Sequence, residues 1–205
     1  LKSANSGDAD AMVNVGLCYL EGEGVTQDIT KAFEWYLKAA NNGNAAAMFG
    51  VGMCYKEGDG VTQDFIKAFE WFLKSANNGS ARAMFAVGLC YSKGQGVEQD
   101  FVKAYEWFLK SANSGDADAM VNVGLCFEKG DGVTQDLTKA LEWYLKSAEK
   151  GNADAMFNLG VCYFEGQGVM KDFTKAFQWF EKAANQNHPD ALHFFSICYQ
   201  HDIGV

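Results

Sequence analysis

The chain has 205 residues, 17 of them Lys or Arg and 26 Asp or Glu, for a net charge of −9. That acidity weighs against nucleic acid as the partner, and against RNA-reading helical repeats with it, because phosphate binding needs a surplus of basic side chains. Nearly half of the residues are apolar, one is proline, and no apolar run approaches the roughly 20 residues of a membrane span, so neither disorder nor membrane crossing is expected.

From the first residues onward one pattern returns at a fixed interval. Cys18, Cys54, Cys90, Cys126, Cys162 and Cys198 are each 36 residues apart, and Gly16 and Trp35 recur at the same spacing. A strict period of this size marks a stacked array of one supersecondary unit. The expected organisation is a single solenoid domain, 1–205. Residues 1–7 end a preceding unit, full repeats occupy 8–43, 44–79, 80–115, 116–151 and 152–187, and 188–205 form a partial sixth.

Each unit reads as two helices. The first starts at Asp8, Asn44, Ser80, Asp116 or Asn152, whose side chains accept bonds from the free amides of a helix start. In the last copy His188 takes this place, with Pro189 at the first helical position. Ala11, Met12, Val15, Cys18 and Tyr19 recur at helical spacing, and Gly22 and Gly24 end the helix in a tight reversal. The second helix starts at Asp28, Asp64, Asp100, Asp136 or Asp172. Ile29, Ala32, Phe33, Tyr36, Leu37 and Ala40 form its apolar face, widened by Trp35 and Ala39. Lys38 and its copies suit the negative helix end. Gly16 and Ala32 are expected to let two backbones approach, with Trp35 and Tyr19 filling the adjoining space. A bulky residue at Gly88 then splits the stack by overpacking, at a cost of about 1–3 kcal/mol or more.

These residues resemble the Sel-1-like repeat family, relatives of the tetratricopeptide repeats. The matching segments are Ala11, Val15, Gly16 and Tyr19, then Gly22, Gly24 and Val25, then Asp28, Lys31, Ala32 and Trp35. The resemblance covers essentially the whole chain in register. It implies an all-α, right-handed α-solenoid of antiparallel helix pairs, and adaptor or scaffold work that holds protein partners. A cysteine-rich bacterial branch of the family carries two cysteines per repeat that pair across the helices. Here each unit has one, small residues such as Ala40 and Ala47 stand where the pair is expected, and that branch's hydrolase-like or penicillin-binding activities do not transfer.

The chemistry-bearing side chains point away from catalysis. Cysteines one helix layer apart, roughly 8–10 Å, exceed the roughly 7 Å Cα limit of a disulfide. They read as reduced, buried small hydrophobes, which leans towards a cytoplasmic location, as does the lack of a legible targeting segment. His193 and His201 are about 12 Å apart along a helix, too far to share a metal. The Gly-x-Gly loops beside Glu21, Glu23 and Asp28 lack the third glycine, lysine and ligand spacing of phosphate or calcium loops. Asn78-Gly79-Ser80 is a formal glycosylation acceptor that coincides with a cap and turn. No cofactor motif, metal set or catalytic constellation emerges, so an enzyme is not expected.

Function is therefore sought where the copies differ. By similarity to tetratricopeptide repeats, the outer face of each first helix lines a concave groove. One row across the copies reads Asp10, Ala46, Arg82, Asp118, Asp154 and Asp190; the next reads Asn14, Gly50, Ala86, Asn122, Asn158 and Phe194. Asparagine can hold a peptide backbone by both donor and acceptor, and aspartate favours a basic ligand. Asp10, Asn14, Arg82, Asp118, Asn122, Asp154 and Asn158 are thus the candidate partner-binding residues. Solvated polar residues remain the other reading, with Phe49, Phe85 and Phe157 packing between neighbouring first helices. The leading function is a non-catalytic scaffold that binds a protein or peptide, with a basic one favoured. The alternative is a structural spacer that self-associates through apolar ends carrying Phe194, Phe195 and Ile197. Lys2–Cys18 recurs residue for residue as Lys110–Cys126, which fits recent duplication or consensus engineering.

Overall fold

The computed structural model describes Ala4 and Gly7–Gly204. Among these residues eleven α-helices and no strand are present. A first compact unit, Leu1–Asp100, holds α1 (Ala9–Glu21), α2 (Ile29–Asn41), α3 (Ala45–Glu57), α4 (Phe65–Asn77) and α5 (Ala81–Lys93). A second unit, Phe101–Val205, holds α6 (Phe101–Asn113), α7 (Ala117–Lys129), α8 (Leu137–Glu149), α9 (Ala153–Glu165), α10 (Phe173–Ala184) and α11 (Pro189–Gln200). Within each unit every helix packs on the next in sequence, the arrangement of stacked helix pairs that defines the α-solenoid class.

The caps explain the helix starts. Asn44 Oδ1 accepts from Ala47 N at 2.8 Å, Asp116 Oδ1 from Ala119 N at 2.9 Å and Asn152 Oδ1 from Ala155 N at 2.9 Å. His188 caps α11 through Nδ1, which accepts from Ala191 N at 3.1 Å, with Pro189 following it. Asp28, Asp64, Asp136 and Asp172 each accept from the backbone N–H three residues on. That bond comes first among the causes that hold these carboxyls below the ordinary carboxylate value, with the paired lysine adding to it. Between the helices Gly22, Gly58, Gly94, Gly130 and Gly166 are left-handed. Gln27, Gln63, Gln99 and Gln135 tie the loop back to the first helix through carbonyls at 2.7–2.8 Å.

The packing departs from the sequence expectation at two positions. The ring against Gly16 is Tyr36, not Trp35 or Tyr19: a Cβ on Gly16 would stand 2.8 Å from Tyr36 Cε1, and one on Gly52 would stand 2.6 Å from Phe72 Cδ1. Trp35 is half-buried at the helix edge, with Lys38 Nζ 4.4 Å from its ring centroid; the same lysine–tryptophan contact recurs at 4.0 Å for Lys74 over Trp71. Ile29 is not in the core but 41% exposed, as are Phe65 and Phe173 in similar degree. These residues open the second helix, and the loop glycine of the following repeat lies on their backbone: a Cβ on Gly60 would stand 2.5 Å from Ile29 O. The loop covers the main chain of that first turn and leaves the side chain outside.

Candidate functional site

In the first unit Asp10 and Asn14 stand exposed, one turn apart on α1. Asn44 Nδ2 donates to Asp10 Oδ1 at 2.7 Å, so one amide caps α3 with its oxygen and holds the preceding repeat with its nitrogen. Arg82 is exposed on α5, its guanidinium 6.0 Å from the Phe49 ring centroid. Among the described residues it does not pair with Asp10 or Asn14.

In the second unit the same contact recurs twice. Asn152 Nδ2 donates to Asp118 Oδ1 at 2.7 Å, and His188 Nε2 lies 3.2 Å from Asp154 Oδ1. His188 therefore caps its own helix with Nδ1, while Nε2 lies against the preceding repeat's Asp154. Asn122 is half-buried and donates to the Asp118 carbonyl at 2.9 Å, so part of its hydrogen-bonding capacity is spent on its own helix. Asn158 is half-buried one turn beyond Asp154 and makes no side-chain hydrogen bond among the described residues.

Asp10, Asp118 and Asp154 thus do two things at once: each carboxylate meets the first residue of the next repeat, and each remains exposed. The sequence reading missed the first role. Its signal is the coincidence of Asp10, Asp118 and Asp154 with an asparagine or histidine cap 34 residues later, whereas Ala46 is followed by Ser80.

The phenylalanines beside this row are packing residues. Phe49 lies 5.5 Å from Phe72, and Phe157 lies 5.8 Å from Phe180, 4.9 Å from the His188 ring and 5.7 Å from Phe194. On α11, Phe195 stacks on Phe177 at 5.0 Å, while Leu192 and Tyr199 are exposed.

Two features had no place in the sequence reading. A cavity of about 180 Å³ opens in the first unit, lined by Leu20, Ile29, Ala32, Tyr36, Gly50, Met53, Cys54 and Asp59. Buried hydroxyls also replace Ala39 in later copies: Ser75 Oγ donates to Ala45 O at 2.7 Å and Ser147 Oγ to Ala117 O at 2.8 Å. The cysteines are free thiols, half-buried at Cys18 and Cys54 and buried in the other copies. Burial pushes Cys54, Cys90 and Cys126 up to about 11 and Cys162 up to about 12, so they stay neutral and weakly nucleophilic. Among the described residues no three His, Cys, Asp or Glu side chains converge to hold a metal, and no helix is long and apolar enough to cross a membrane.

Comparison with known proteins agrees with the architecture. The Sel1 repeat matches five times, at residues 9–44, 45–80, 81–116, 117–152 and 153–188. A Sel1 repeat protein from Oxalobacter formigenes is 34% identical over 95% of this chain and 79% of its own, with a TM-score of 0.90. The antigen c5321 of uropathogenic Escherichia coli, described as protective and as displaying an SLR fold, is 32% identical over 98% of this chain, with a TM-score of 0.91. This chain spans 43% of that antigen's length. Helicobacter pylori cysteine rich protein B shares the fold at 23% identity and a TM-score of 0.52, over 64% of this chain and 95% of its own. No curated protein matches the chain. With five matched repeats in register, the chain belongs to the Sel1 repeat family.

Proposed function

We propose that the chain is a non-catalytic scaffold that holds a protein or peptide partner on the outer faces of its first helices. Asp10, Asn14 and Arg82 carry this face in the first unit, and Asp118, Asn122, Asp154 and Asn158 carry it in the second. Sel1 repeat proteins are generally interaction scaffolds without catalysis, which supports the reading at family level. The observation that carries it here is the set of exposed aspartates Asp10, Asp118 and Asp154, each with one oxygen held against the first residue of the next repeat. A carboxylate already held in place loses little freedom on binding, so it contributes more to affinity than a mobile one. The net charge of −9 adds steering of a basic segment towards it.

The test separates the charge from the structural bond. Asp10→Asn, Asp118→Asn and Asp154→Asn together keep an acceptor for Asn44, Asn152 and His188 while removing the charge. Peptides selected from a random display library on the native protein are expected to be rich in Lys and Arg. Their affinity for the triple variant falls about threefold or more, and its salt dependence flattens, with the melting temperature unchanged. Equal affinity for both proteins sinks the reading.

A further inference from the structure

One space recurs between consecutive repeats, beside the ring that rests on the helix glycine, and the copies fill it differently. In the last copy Phe194 of α11 stacks on Phe180, with centroids 5.2 Å apart at 29°, and Phe164 meets Phe194 edge-on at 6.5 Å. At Tyr144 the residues in register with Phe164 and Phe194 are Glu128 and Asn158. There the Tyr144 hydroxyl donates to Glu128 Oε2 at 2.6 Å.

In the first unit the corresponding residues are Tyr36, Leu20 and Gly50. Gly50 brings no side chain, and Leu20 brings no acceptor. What remains is the cavity of about 180 Å³ described above, walled by Leu20, Ile29, Tyr36, Met53 and Cys54, with Asp59 as its one carboxylate. Tyr36 is only 8% exposed, and its hydroxyl, which no side chain bonds among the described residues, keeps its contact with solvent and is open to a ligand. The Gly50 backbone lies close over the same ring: a Cβ there would stand 3.8 Å from Tyr36 Cγ.

We propose that this pocket binds a single aromatic ring carrying one oxygen, of the phenol type. The volume suits it, since an apolar cavity of about 150 Å³ takes up benzene. The repeat itself supplies the precedent, because Phe194 occupies the equivalent space as a stacked ring. The ring packs on Tyr36 among Leu20, Ile29 and Met53, and its oxygen pairs with the Tyr36 hydroxyl that Glu128 satisfies in the Tyr144 copy. Binding is non-covalent, because a phenol offers the Cys54 thiol in the wall no electrophilic centre to attack. The ring comes either from a free phenol or from the tyrosine side chain of a bound polypeptide. The site does not depend on the aspartate row, so each proposal can fail alone.

The experiment follows the methionine methyl resonances of the whole chain by NMR during titration with p-cresol, toluene and N-acetyl-tyrosinamide. p-Cresol is expected to shift the Met53 methyl saturably and to bind more tightly than toluene. Tyr36→Phe weakens p-cresol about fivefold and leaves toluene unchanged, the size of one hydrogen bond. Gly50→Phe, which supplies the ring found at Phe194, abolishes both shifts; Gly50→Asn, the residue found at Asn158, serves if the first variant does not fold. Saturable binding of N-acetyl-tyrosinamide assigns the ring to a polypeptide, and its exclusion while p-cresol binds assigns it to a free phenol. No saturable shift at Met53, or equal p-cresol binding by a folded Gly50 variant, overturns the proposal. The Asp10→Asn, Asp118→Asn, Asp154→Asn protein is expected to bind p-cresol normally, which keeps the two proposals separable.

Discussion

Close contact in this chain is made by one glycine against one ring. A Cβ placed on Gly160 would collide with the Phe180 ring, and Phe180 is fully buried. Gly160→Ala is therefore expected to destabilise the protein by about 1–3 kcal/mol, read from a urea melt, although alanine is the better helix former. Phe180→Leu in the same chain relieves part of that loss, so the double variant is more stable than the sum of the single changes predicts. Additive losses would show that the glycine is needed for something other than this ring. The period already exposed the glycine in the sequence, but not its partner. Tyr19, Trp35 and Tyr36 are all aromatic and all recur, and only the helix crossing decides that Tyr36 faces Gly16 while Trp35 turns out to meet Lys38.

Each helix pair is fixed to the next by its loop as well as by its side chains. Gly96 is left-handed, and a Cβ there would collide with the Phe65 carbonyl of the preceding repeat; Gly79 is also left-handed but has open space around it. Both alanine variants suffer the backbone penalty of about 1–2 kcal/mol. Only Gly96→Ala adds the collision, so it is expected to lower stability clearly more than Gly79→Ala in parallel thermal melts; equal losses would remove the loop from the inter-repeat contact. Caps, turns and the helical period were legible because each depends on residues within a few positions of one another. Contacts at separations of 30 or more were not. The hydroxyl of Ser147 reaching Ala117 O and the Asn152 amide reaching Asp118 need the fold before they can be seen. The cavity was hidden for a further reason, since it is made by a side chain that Gly50 does not have.

At the scale of the whole molecule the repeated thiols act together. An ordinary cysteine ionises near 9.0, whereas burial raises Cys54, Cys90 and Cys126 to about 11 and Cys162 to about 12. Between these values the unfolded chain has lost protons that the folded chain retains, so stability falls as pH rises. The melting temperature is expected to hold up to about pH 8.5 and then drop steeply towards pH 11. Cys126→Ala with Cys162→Ala starts from a lower melting temperature at neutral pH but declines less with alkali; an unchanged alkaline slope would assign the effect to the tyrosines instead. The contacts between Asp10 and Asn44, Asp118 and Asn152, and Asp154 and His188 carry a consequence for rearrangement. They make a grammar of succession: a repeat that opens with asparagine or histidine is matched to a predecessor whose third residue is aspartate. Repeats transplanted in that order keep the contact, whereas moving 44–79 to follow 80–115 would set Asn44 after Arg82 and lose it.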